Sequence, residues 1–164
     1  SAMVILLLIL WHFLGQKRAE DLNNRVFLFF AVLGTADVVA EFFTNYYITS
    51  YNSDMENAAV IVTTIFYLLQ ALLPVTFIFY IQTLHEQKII SAKKMFISGV
   101  PTLVLISVIL TNPFTEKLFS FDVTAGYVKG PWYLLMYVSA LGHFAVALLL
   151  ILLWRKKLGP QRFL

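Results

Sequence analysis

Apolar residues run along this chain in long, nearly unbroken stretches, with neither the strict alternation of a half-buried strand nor the narrow stripe of a surface helix. Five stretches stand out: Met3–Leu14, Val26–Ile48, Ala58–Leu84, Met95–Leu110 and Pro131–Trp154. A helix rises about 1.5 Å per residue and the hydrocarbon core of a bilayer is about 30 Å thick, so about twenty apolar residues cross it. Four of the stretches reach or approach that length. The first has 12 residues and covers only roughly 18 Å. No small-residue cleavage site follows it, as a signal peptide would require, and Ser1-Ala2-Met3 reads as a cloning remnant. The expectation is a first membrane helix trimmed at its N-terminus. The pattern predicts an all-α membrane protein, a single domain over residues 1–164 folded as a five-transmembrane helical bundle.

Charge orients the bundle. Ten of the twelve lysines and arginines lie on one set of connectors and in the C-terminal tail, and only Lys117 and Lys129 lie on the other set. The positive-inside rule then puts the N-terminus outside and the C-terminus in the cytoplasm. Trp11, Tyr46, Tyr47, Tyr51, Trp132, Tyr133 and Trp154 fall near span ends, where amphipathic rings prefer to sit. Composition agrees, with 60% hydrophobic and 13% charged residues. The net charge of +3 is carried beside apolar runs, so lipid headgroups rather than nucleic acid are the expected partner. With no cysteine there is no disulfide, thiolate nucleophile or cysteine metal site.

Candidate chemistry lies inside the spans. Asp37 is eleven residues into the second stretch, near the midplane, and Glu41 follows four residues later, about 6 Å along the helix. Buried acids in membrane helices are costly and usually face the bundle interior. Asn45 continues the same face. On the third stretch Thr63, Tyr67, Gln70 and Pro74 share a stripe, and Pro74 has no N–H to give to the Gln70 carbonyl. On the fifth, Tyr133 pairs with Tyr137 and Ser139 with His143; His12 belongs nearer the cytoplasmic side. The expected ligand-binding set is Asp37, Glu41, Tyr67, Gln70, Tyr133 and Tyr137. No span carries a lysine, which excludes a retinal Schiff base, and no zinc helix, phosphate loop or nucleophile elbow is present. No catalysis, metal or cofactor is therefore expected of this chain.

The connector Thr111–Tyr133 carries "KLFSFDV" and "YVK" around "TAG", a short hairpin-like outer loop between helices four and five. Asn112-Pro113 is expected to end the fourth helix and Gly130-Pro131 to begin the fifth, with Asp122 between them; these five residues would form a lid or a rigid connector.

These motifs carry a resemblance. Asp37, Tyr67–Leu69–Gln70 with Leu73-Pro74, then Asn112-Pro113, Phe119, Asp122, Gly126, Tyr127, Gly130 and Pro131 resemble the N-terminal membrane sensory region of bacterial signalling proteins. Such regions precede a cytoplasmic GGDEF diguanylate cyclase or a histidine kinase and often have about seven helices. Lys129 stands where the pattern has arginine. The resemblance implies a multi-pass sensor in the bacterial inner membrane that binds an unknown small-molecule ligand. It also implies a homodimer and a downstream cytoplasmic signalling domain following Leu164. A small membrane transporter using the buried acids is the alternative.

Overall fold

The computed structural model describes residues 22–86, 92–122 and 124–154. They form helix α1 (Leu22–Thr49), a short 3-10 turn (Ser53–Met55), α2 (Glu56–Glu86), α3 (Ala92–Thr115), a hairpin of β1 (Phe119–Asp122) and β2 (Gly126–Lys129), and α4 (Leu134–Trp154). Four helices among the described residues are long and apolar enough to cross a membrane. The five-span bundle expected from the sequence is corrected to this four-helix one. The Met3–Leu14 run lies outside the described residues, and at roughly 18 Å its reach falls well short of a bilayer core. The outward N-terminus and cytoplasmic C-terminus rest on the distribution of lysine and arginine along the sequence, which the four described helices leave as an expectation.

Helix α2 is the hub. It packs along α1 on one side and against α3 and α4 on the other, whereas α3 and α4 touch each other sparingly. Hydroxyls inside the helices are satisfied locally: Thr35, Thr64 and Thr76 bond the carbonyls of Ala31, Val60 and Leu72, each four residues back, at 2.9, 2.7 and 2.8 Å. This back-bonding lets polar residues occupy an apolar helix without a neighbour's help. Pro74 lies within α2 and Pro101 and Pro113 within α3, and both helices continue past them.

The end expected for α3 at Asn112-Pro113 is therefore not where the helix stops. It runs on to Thr115 and closes on Glu116, whose φ of 52° is left-handed and whose N–H donates to the Asn112 carbonyl at 2.8 Å. This is the cap that glycine usually makes. Asn112, turned inward and buried, instead reaches the hairpin. Its amide donates to the Phe119 carbonyl at 2.9 Å, and its oxygen accepts from the N–H of Leu118 at 2.7 Å and of Phe119 at 3.3 Å.

The two strands pair antiparallel from Phe119↔Lys129 to Asp122↔Gly126. Gly126 takes a φ of 69°, and the Asp122 carboxylate closes the turn by accepting from the N–H groups of Thr124 at 2.7 Å and Ala125 at 2.9 Å and from the Thr124 hydroxyl. At the base, Gly130 gives its N–H to Leu118 and Trp132 gives its N–H to Lys117. A Cβ on Gly130 would run into the Lys117 carbonyl, so this crossing admits only glycine. The turn at residues 131–133 precedes α4, which begins at Leu134 rather than Pro131.

The hairpin is a plug. Phe119 and Phe121, two apart on β1 and so on one face, insert among Tyr67 and Ala71 of α2, Leu105 and Ile109 of α3 and Met136 of α4. Tyr51 stacks on Phe121 with centroids 5.1 Å apart. A smaller core of Ile78, Ile81 and Ala147 fills the other end between α2 and α4.

Asn112→Ala should lower unfolding stability by about 2–4 kcal/mol, because it leaves buried backbone groups of Leu118 and Phe119 unpaired; denaturant unfolding in detergent measures this. The Thr124 hydroxyl, then the Ala125 and Thr124 amides, hold the Asp122 carboxyl below its ordinary value of 3.8. A depressed folded value means that its contribution is present above the ordinary value and is lost as pH falls through the depressed one. Hydrogen-exchange protection at Thr124 and Ala125 should therefore persist at neutral pH and collapse only in acid below 3.8.

Candidate functional site

Helix α1 meets α2 along a narrow seam. Leu33, Ala40 and Thr44 are buried on it, and Asp37 completes their 4-3-4 spacing. Because α1 has one main neighbour among the described residues, the stripe they cover is thin. Each step of four residues turns about 40° beyond a full circle. Glu41 is thus carried off the seam and Asn45 further still, and both are exposed. The two acids predicted to act together do not share a site: Asp37 faces inward and Glu41 lies on the outer surface of α1.

Asp37 opens into a cavity of about 430 Å³ between α1, α2 and α4. From α2 it is lined by Tyr67, Gln70 and Pro74, three members of the predicted stripe; the fourth, Thr63, is fully buried but does not reach it. From the α4 side come Tyr133, Tyr137 and Ser139. Five of the six expected ligand-binding residues thus line one space, and Glu41 is the exception. One carboxylate oxygen of Asp37, Oδ1, is buried and has no hydrogen-bond partner. An acid at this depth costs about 2.5–3.5 kcal/mol on insertion scales, and among the described residues no basic side chain lines the cavity.

The aromatic wall is hung from the plug. The Tyr67 and Tyr127 hydroxyls lie 2.5 Å apart, joining α2 to β2, and those of Tyr133 and Tyr137 lie 3.0 Å apart, one turn from each other. The Tyr67 and Tyr133 rings meet edge to face at 6.4 Å. Burial pushes the Tyr127 phenol above its ordinary range, so the bond to Tyr67 joins neutral hydroxyls. Lys129 of β2 sets its ammonium 4.5 Å from the Tyr133 ring centre, a cation–π contact.

The residues predicted as a lid all lie off the cavity. Asn112 pins β1, Asp122 closes the turn, Gly130 allows the crossing at the base, Pro113 sits in the last turn of α3 and Pro131 in the turn before α4. Among the cavity's walls Phe66, Ala71, Leu105, Met136 and Ala140 were not predicted, nor was Tyr127, which bonds Tyr67 without lining the space. Tyr127 was legible once the strands were paired, since it stands opposite the inward Phe121.

His143 does different work. It is 6% exposed, and its Nδ1 lies 2.7 Å from the Ser139 carbonyl, which can only accept. The proton therefore sits on Nδ1, and Nε2 accepts from the Thr102 hydroxyl at 3.0 Å. This bond bridges α3 and α4 where they otherwise barely meet. His12 and the basic tail lie outside the described residues.

A scan against protein-family models finds no match for this chain, and searches of curated proteins and of solved structures find none either.

Proposed function

We propose that this membrane-spanning helical domain is the input module of a bacterial signalling receptor, and that a small polar ligand binds in the cavity beneath the hairpin. The observation that carries the reading is the buried, unpartnered Asp37 Oδ1 in a space of about 430 Å³. A carboxylate serving only to hold helices together would have a donor on the next helix. Among the described residues this one has none, and the space beside it is open.

The arrangement of helices supports a sensor. Both α1 and α4 pack on α2 and scarcely touch one another, yet both line the cavity. A ligand touching Asp37 on one side and Tyr137 on the other adds a contact between helices that otherwise lack one. A signal requires different affinity for two packings, and a bridging ligand favours the packing in which both walls are within reach. Helix α4 would carry that change toward a cytoplasmic diguanylate cyclase or histidine kinase, in keeping with the motif resemblance. The rival, transport, needs a path out at each end. The Ile78, Ile81 and Ala147 core lies across one end and the pinned hairpin across the other, which favours sensing.

The sign of a stability change tests the pocket. With no partner to lose, Asp37→Leu should stabilise the ligand-free chain by about 1–3 kcal/mol, the insertion cost of the acid being removed. Unfolding of the purified domain measures it, and a loss of stability would identify Asp37 as structural glue and sink the binding site.

A further inference from the structure

The cavity's charge is one-sided. The Tyr133 and Tyr137 hydroxyls bond each other, the Tyr67 hydroxyl bonds Tyr127, and the Gln70 amide and the Ser139 hydroxyl add neutral groups. Beside these neutral groups are two strong acceptors. One is Asp37 Oδ1, buried without a partner; the other is the Gln70 backbone carbonyl, to which Pro74 can give no N–H. Gln70 and Pro74 both line the space. Among the described residues no lysine, arginine or histidine does, so an anion would meet no positive side chain from them.

The walls have the same preference. Phe66, Tyr67, Tyr133 and Tyr137 all border the cavity, and the negative face of an aromatic ring attracts cations. The chain already uses this chemistry nearby. Lys129 holds its ammonium over the Tyr133 ring, and Lys117 places one 4.6 Å from the Trp132 ring centre. The cavity offers ring faces and a carboxylate without an ammonium of its own.

We infer that the ligand of this site is a small primary ammonium compound, whose three N–H donors meet Asp37 and the Gln70 carbonyl while its body lies against the tyrosines. The inference rests on the proposed binding role of the cavity and specifies what enters it. A neutral polar molecule would leave the carboxylate without a counter-charge, and a carboxylate or phosphate would be repelled by it.

The test compares three probes of one shape, phenethylammonium, phenethyl alcohol and hydrocinnamate, titrated against the purified domain in lipid nanodiscs. The ammonium should bind at least about tenfold tighter than the alcohol, as expected for hydrogen bonds to a charged group, and the carboxylate should not bind. Asp37→Asn should bring the ammonium down to the level of the alcohol. Should that variant fail to fold, Gln70→Lys supplies a tethered ammonium in the same cavity and should weaken the ammonium probe more than the alcohol, narrowing the difference between them. Three outcomes overturn the inference: equal binding of alcohol and ammonium, an ammonium preference that survives these substitutions, or no binding by any probe. Alcohol binding without an ammonium preference would defeat the cation and leave the pocket standing. The stability of ligand-free Asp37→Leu bears on the pocket alone, so the two failures are distinguishable.

Discussion

A polypeptide in hydrocarbon has no water to complete its hydrogen bonds, so each helix must satisfy its own backbone and choose neighbours by packing alone. In this chain that choice falls on α2. Its buried residues, among them Ala59, Thr63, Tyr67, Ala71, Val75 and Ile78, point in several directions, and α1, α3 and α4 each find their main partner there. An arrangement with one hub leaves gaps between the helices around it. The cavity beside Asp37 is such a gap, and so is the apolar groove of about 590 Å³ between α3 and α4. The first is lined by an acid, an amide and phenols, the second largely by aliphatic side chains and His143.

The motif residues that resemble membrane sensory regions gather mostly in one place. Asn112, Phe119, Asp122, Gly126, Tyr127 and Gly130 are scattered over a connector in the sequence, and each makes a specific part of the plug: the pin, the buried ring, the turn, its left-handed residue, the bond to α2 and the close crossing. That half of the pattern encodes how the hairpin is seated. The other half, Asp37 and the Tyr67–Pro74 stripe, lines the cavity in which a ligand is proposed to bind.

Much of the fold was legible from hydrophobic run length, which is why the four long helices fall close to the expected boundaries. Run length does not register proline tolerance, however. Pro113 interrupts only one backbone bond near a helix end, and α3 passes it. The site was legible where two helices face each other. The 4-3-4 stripe on α2 predicts Tyr67, Gln70 and Pro74 as cavity wall, and the same spacing on α1 through Leu33, Asp37, Ala40 and Thr44 separates Asp37 from Glu41. Spacing alone could not say that α1 has one main neighbour among the described residues, and that decides how wide a stripe they cover. Thr102 as the partner of His143 was hidden for another reason: it joins helices that share almost no other contact.

The hairpin is anchored almost entirely from below. Asn112, the Lys117–Gly130 crossing, the buried Phe119 and the Tyr127–Tyr67 bond all hold its base and middle, while the exposed tip at Thr124 and Ala125 is held by the Asp122 carboxylate alone among side chains. An epitope or fluorophore placed between Thr124 and Ala125 would thus leave the anchoring contacts in place. The tip is the natural handle on this domain, exposed and apart from the residues that line the cavity.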